Sequence, residues 1–215
     1  MRLNKLMKPF KDFEKENPDD LWDETHGGQK VYNSPTREIM NFIDKHCKKA
    51  VTAMQDTQTF LYRRIGYDVG VPNVFHGITP TARESYSAEY DQPLLDKILQ
   101  QCGFSSLRSN SICCTGSNTD LYGFGKLYHI FPVKGFDFTW SPKIEDIGAN
   151  NELASSLARE KLVSSPKKFV KYWQFSKNNF AMALHSKNEI TIHGQYIALA
   201  DKYHTELVKR FGIGI

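Results

Sequence analysis

Apolar residues recur at helical spacing in the stretch after Ser34 and Pro35: Ile39, Phe42, Ile43, Ala50, Val51 and Met54 share one face at 3.6 residues per turn. With Ser34 as N-cap and Pro35 as the first helical residue, this pattern predicts an amphipathic helix running to about Gln55. The short polar link Asp56-Thr57-Gln58 then leads into Thr59-Phe60-Leu61-Tyr62-Arg63-Arg64-Ile65-Gly66, an aromatic-rich run with strand propensity. The alternation of a strand sets Thr59, Leu61 and Arg63 on one face and Phe60, Tyr62 and Arg64 on the other. One of the two arginines is therefore expected to point inward. Left unpaired there, a guanidinium would cost several kcal/mol, so it needs a partner, either a carboxylate or a ligand phosphate. A structural ion pair, or a side chain snorkelling from the strand end, is the plainer explanation.

The rest of the chain alternates readable elements with punctuation. Residues 1 to about 33 mix charge with the anchors Phe10, Phe13 and Trp22 and reach Gly27-Gly28, which predicts a short helix and a loop lying as an arm over the surface. After Gly66 the sequence is irregular to Tyr90, broken by Gly70, Pro72, Gly77 and Pro80; a loop of that length in a compact domain is usually functional or mobile. Pro93 to Gln101 predicts a helix stopped at Gly103. The segment from Ser105 to Ser117 has a short buried strand at its centre and hydroxyls at both ends. A glycine-broken turn from Asp120 to Gly125 precedes a strand from Lys126 to Val133. Lys134-Gly135 then turns into Phe136-Asp137-Phe138-Thr139-Trp140, whose alternation predicts a half-exposed strand ended by Pro142. Helical regions are predicted over 144–163 and 167–184, a turn at Ser186-Lys187-Asn188, a strand from Glu189 to Gly194, and a closing strand-to-helix segment from Tyr196 to Phe211. This order implies an α+β fold with segregated helices, divided into an N-terminal helical portion, 1–56, and an α+β domain, 57–215.

Composition narrows the class. A chain of 215 residues that is 40% hydrophobic and 13% aromatic is long enough to bury a core and is not generally disordered. A net charge of +4 permits an anionic partner without demanding one, and the basic clusters Lys48-Lys49 and Lys167-Lys168 with Lys171 are short enough to be solvated helix faces. No apolar run approaches the roughly 20 residues of a membrane span. The N-terminus has no signal-type apolar region, so a soluble, cytoplasmic protein is expected. Cys47, Cys102, Cys113 and Cys114 are unevenly placed and fit a reducing compartment. Zinc is not expected, because neither Cys-x-x-Cys nor His-x-x-x-His spacing occurs, and the absence of Gly-x-Gly-x-x-Gly after a strand disfavours Rossmann-type hydride chemistry.

Three pieces remain: the strand with Arg63, the hydroxyl-bounded strand with Ser109, Ser111, Thr115 and Ser117, and the strand opening on Glu189. In this order the chain resembles the mono-ADP-ribosyltransferase family, which carries an arginine on its first core strand, a Ser-Thr-Ser type segment on its second and a glutamate near its fifth. The family's Leu-Tyr-Arg-Gly corresponds to Leu61-Tyr62-Arg63-Arg64, which favours Arg63 over Arg64. Either Ser109-Asn110-Ser111 or Cys114-Thr115-Gly116 takes the place of the hydroxyl segment, and Glu189 in Asn188-Glu189-Ile190-Thr191-Ile192 looks like the catalytic glutamate. The resemblance covers roughly residues 57–200. It implies a split β-sheet core and a helical insertion over 144–180, because the interval from Thr115 to Glu189 is long for the family. Members that modify protein arginine usually place Glu or Gln two residues before the catalytic glutamate; here that residue is Lys187, which leaves the acceptor open.

The resemblance implies NAD as substrate and transfer of ADP-ribose to a macromolecular acceptor, protein or nucleic acid. Breaking the bond between nicotinamide and ribose creates an oxocarbenium-like centre, which a carboxylate stabilises most in the transition state; Glu189 is the candidate. A planar, permanently charged guanidinium suits the dinucleotide phosphates, which assigns Arg63 to cofactor binding, with Ser109, Ser111 and Thr115 orienting it and Tyr122 or Tyr67 stacking on nicotinamide. A small enzyme of this kind would suit a phage or bacterial effector working in the host cytoplasm. Two rivals stand beside it: an NAD glycohydrolase, and a non-enzymatic nucleic-acid-binding module using Arg63, Arg64, Lys126 and the tyrosines as a stacking surface. Each residue also has an ordinary role available: a strand-start carboxylate for Glu189, turn hydroxyls for the serines, small core hydrophobes for Cys113 and Cys114. A cysteine nucleophile could instead work with His129, and Asp137, Glu145 or Asp146 could supply the carboxylate.

Overall fold

The computed structural model of the chain describes residues 30–32, 34–65, 72–80, 91–119, 125–160 and 165–214. Residues 1–29 of the expected N-terminal arm, Tyr67, and the turn carrying Tyr122 lie outside them; the end of the arm, expected to be loop, is a strand at Lys30–Tyr32.

The first helical pattern forms two helices, α1 (Arg37–His46) and α2 (Lys48–Thr57), that meet at Cys47. The periodicity runs through the break because both helices turn the same residues inward: Ile39 and Ile43 from α1 and Ala50 and Met54 from α2 belong to one buried cluster. Cys47 itself leaves helical geometry and directs its thiol at the Phe131 carbonyl, 3.5 Å away. The N-cap is Thr36 rather than Ser34, since the Thr36 hydroxyl accepts from the Ile39 N–H at 3.3 Å and the helix begins after Pro35.

The strands are β1 (Lys30–Tyr32), β2 (Tyr62–Ile65), β3 (Val74–Ile78), β4 (Ile112–Cys114), β5 (Lys126–Pro132), β6 (Asp137–Trp140), β7 (Ile190–His193) and β8 (Gln195–Ala200). They form two antiparallel sheets, one of five strands in the order β1-β3-β8-β5-β2 and one of three in the order β4-β7-β6. The sheets meet where Tyr62 and Thr115 exchange backbone hydrogen bonds of 2.8 and 3.0 Å. That junction changes the expected two-faced β2 segment. The bridge continues β2 laterally into the second sheet; Phe60, Leu61 and Tyr62 are all buried in succession, and Arg63 and Arg64 are both half-buried.

The remaining helices are α3 (Gln92–Gln101), α4 (Asn151–Glu160), α5 (Pro166–Trp173), α6 (Phe180–Ser186) and α7 (His204–Phe211). Asp91 caps α3 through the Leu94 N–H, and Gly103 leaves it at φ +80°. The predicted helix over 167–184 is broken between α5 and α6, where Ser176 exchanges backbone hydrogen bonds with Trp140 at 2.8 and 3.0 Å. That pairing, with Phe180 packed edge-on to Phe136 and Phe138, covers β6, so the strand expected to be half-exposed is exposed only at Asp137. Buried apolar side chains form two clusters. The larger lies between the sheets, α1, α2, α6 and α7; the smaller joins α3, α4 and α5 through residues such as Leu95, Leu157 and Trp173. No helix among the described residues is long and apolar enough to cross a membrane.

The end of β4 sits hard against α6. A Cβ on Gly116 would overlap the Leu184 backbone carbonyl, and neither backbone can yield without moving its element. Gly116→Ala is expected to destabilise the fold by about 2–3 kcal/mol, read as a lower urea midpoint with an unchanged slope.

Candidate active site

Glu189 stands one residue ahead of β7, where the backbone leaves the turn at Ser186-Lys187-Asn188. Lys187 takes a left-handed conformation, φ 62°, that ends α6, and its carbonyl accepts from the Thr115 hydroxyl. The Glu189 N–H donates to the Glu145 carbonyl at 2.7 Å. The side chain is thereby carried inward: Glu189 is only 8% exposed, far from the open strand-start carboxylate that is the ordinary expectation.

Its carboxylate has charged and neutral donors. Arg108 Nε donates to Oε1 at 3.0 Å, the Ile147 N–H donates to Oε2 at 2.8 Å, and the Cys113 thiol also donates to it. Burial by itself opposes ionisation, but the Arg108 charge and these donors outweigh it, and the Glu189 pKa is lowered. Asp146, close by, shifts the opposite way: burial and the Glu189 charge raise its pKa despite N–H donors from Gly148 and Ala149. Two adjacent carboxyls are thus driven apart, with Glu189 the one that holds the negative charge.

Arg63 approaches the same strand from the other sheet. Its Nη1 lies 3.4 Å from the Cys113 carbonyl, a long hydrogen bond, and among the described residues it has no carboxylate within ion-pair distance. Arg63 and Glu189 therefore flank Cys113, one at its main chain and the other at its thiol. Arg64 instead donates to the Gly125 carbonyl at 3.1 Å. Cys113 is a poor nucleophile here: burial, followed by the Glu189 charge, lifts its pKa to about 11, and its thiol donates to Glu189 rather than to His129.

The hydroxyl segment has a structural reading. Ser111 is fully buried, with its Oγ 2.9 Å from Ser106 Oγ and donating to Asn110 Oδ1 at 3.0 Å, and Ser106 continues to Thr191. The Ser109 N–H donates to Asp96, and the Thr115 hydroxyl binds the turn before Glu189. The Thr115 hydroxyl thus ties the end of β4 to the Glu189 turn, while the Ser111 hydroxyl ties its start to Ser106 and Asn110. Asp137 is exposed and accepts from Ser105 at 2.7 Å, Glu145 is exposed, and His193 Nδ1 lies 2.7 Å from the Asn110 carbonyl.

Arg108 is the residue the sequence did not single out. It lies inside the hydroxyl-rich segment, on a 3-10 turn at Arg108–Asn110, whose first two N–H groups are held by Asp96 at 3.1 and 3.2 Å. The backbone of Gly148 passes so close that a Cβ there would fall 2.6 Å from Arg108 Nη2. Only the packing of that turn onto the 145–148 loop reveals the pair. Compared with protein-family models, curated proteins and solved structures, the chain matches none.

Because the folded-state pKa of Glu189 is depressed, the pair's contribution to stability is fully present above the ordinary glutamate value of 4.5 and is lost as pH falls through the lowered value. Glu189→Gln removes the charge that accepts from Arg108 Nε, which should cost about 2–4 kcal/mol at neutral pH. Urea unfolding as a function of pH checks both statements: the wild-type stability should fall below pH 4.5 more steeply than that of the variant.

Proposed function

We propose that the chain is an NAD-dependent mono-ADP-ribosyltransferase acting on a macromolecular acceptor, protein or nucleic acid. The observation that carries this reading is the convergence of a half-buried guanidinium, Arg63, and an ionised, inward-held carboxylate, Glu189, on the single strand residue Cys113. The strand order supports it as well. With β1 and β3 set aside, the chain order β2, β4, β5, β6, β7 has Arg63 on the first strand, the hydroxyl segment around the second and Glu189 just before the fifth. The three lie laterally as β2, β4, β7, across the junction of two sheets in the manner of a split β-sheet.

In this reading Arg63 binds the dinucleotide phosphates. Glu189 has two lone pairs on each oxygen, and its described donors leave room for a ribose hydroxyl. Held ionised, it stabilises the positive charge that grows on ribose C1′ as the bond to nicotinamide lengthens. Nicotinamide leaves with the bonding electron pair, the acceptor's nucleophile forms the new bond to C1′, and the acceptor's proton passes to solvent. Arg108 acts through Glu189 by keeping it charged and oriented.

The test is incubation of the purified protein with NAD labelled in its adenylate portion and a cell lysate, following free nicotinamide and label on protein and nucleic acid. Arg63→Ala and Glu189→Gln should each reduce transfer by at least about 100-fold while circular dichroism shows folded protein. Nicotinamide release without transfer would make water the acceptor and the protein a glycohydrolase. If folded wild type neither releases nicotinamide nor transfers label, the reading is wrong.

A further inference from the structure

On the face of β2 and β5 that carries Tyr62, a second group of chemistry-bearing side chains comes together. His129 lies on β5 directly opposite Tyr62 and is fully buried. Asp201 follows β8, and His204 opens α7 after a 3-10 turn at Asp201–Tyr203. One ligand-type atom from each of His129, Asp201 and His204 lies within 4.8 Å of the others.

The hydrogen bonding of this group does not account for it. His129 Nε2 is 3.1 Å from Asp201 Oδ1, yet the carboxylate stands off the line that a hydrogen bond requires. Neither ring nitrogen of His129 has a hydrogen-bond partner among the described residues, and the buried Nδ1 of His204 has none either. Buried polar atoms normally find partners, and three unsatisfied imidazole nitrogens in one place need a reason. The surroundings hold the rings firmly: Phe60 packs edge-on to both, at 4.7 Å from His129 and 5.8 Å from His204, and the two imidazoles lie 5.2 Å apart.

We propose that His129, Asp201 and His204 form a binding site for a divalent transition metal of the zinc class. Two imidazoles and one carboxylate are a donor set that such ions take, usually with a fourth position left to water. Metal–ligand bonds of about 2.0–2.2 Å put tetrahedral neighbours roughly 3.3–3.5 Å apart. The His129–Asp201 spacing of 3.1 Å is already close to that. No pair of ligand atoms is more than 4.8 Å apart, and the Asp201 side chain, 47% exposed, has room to adjust. The same exposure gives the ion an entry route and the open position access to water. The metal would clasp α7 and the β8–α7 connection to β5. It is independent of the NAD reading, because Arg63 projects from the opposite face of β2.

Spacing rules missed this site because one ligand comes from a strand and two from a distant helical turn. The test uses the full-length, untagged chain after chelator treatment, titrated with cobalt(II) chloride and then zinc chloride. One cobalt per chain should bind with visible absorption of a low-symmetry, four-coordinate type, and zinc should displace it and raise the thermal midpoint. Asp201→Asn and His204→Ala replace partly exposed side chains and should stay folded by circular dichroism, but should weaken metal binding by at least about tenfold. Absence of one-to-one binding in the wild type, or undiminished binding in either folded variant, overturns the proposal.

Discussion

Two backbone hydrogen bonds between Tyr62 and Thr115 set the terms for most of this molecule. They join the β2 edge of a five-stranded sheet to the β4 edge of a three-stranded one. A strand has two faces, and here each carries a side chain with chemistry. Arg63 is turned toward Cys113 on β4, while Tyr62 is turned toward His129 on β5. One short segment thereby serves two unrelated environments, one built around a carboxylate and guanidinium groups and the other around imidazoles.

The Glu189–Arg108 pair has a double character. Only 9% of the Glu189 side chain and 19% of the Arg108 side chain remain exposed, so each charge has lost much of its hydration. Pairs of this sort often add little net stability over an apolar replacement, while removal of one member alone is costly. Their value lies in fixing a single arrangement. Here the arrangement holds a carboxylate ionised and stationary at a strand start, which is the state electrostatic catalysis requires, because no reorganisation is then needed as charge develops.

Much of the fold could be read from the sequence, and the reasons are local. The helix α3 announced itself through Pro93, its apolar spacing and Gly103; β5 and β7 through β-branched and aromatic runs; the turn before Glu189 through Ser186-Lys187-Asn188. The α+β class followed from their order. What escaped was set by distant partners. No local signal marks Cys47 as a break, because the apolar period continues on both sides of it, and nothing in the alternation of β6 tells that Ser176 and Phe180 will cover its outer face. In the site, Arg63 and Glu189 were legible as residue types at strand positions. Arg108 was not, since its meaning depends on a loop that is remote in sequence. The hydroxyls near β4 carried a signal of another kind: Ser106, Ser111, Thr139 and Thr191 need each other inside the protein.

The left-handed backbone at Lys187 has a consequence for how this protein could change its preferences. Under the transferase reading proposed above, that position, two residues before Glu189, is where a side chain would be altered to recruit a different acceptor. A residue with a Cβ in this conformation carries roughly 1–2 kcal/mol of strain that glycine escapes. Since the Lys187 carbonyl also receives the Thr115 hydroxyl, the main chain there braces the carboxylate from behind. Variation at this one position therefore acts on rigidity as well as on recognition. A lineage drifting toward glycine or asparagine would ease the turn while losing a long side chain at the rim. Drift toward glutamate or glutamine would reverse or remove the local charge and keep the backbone under tension. Selectivity and stiffness are coupled at residue 187.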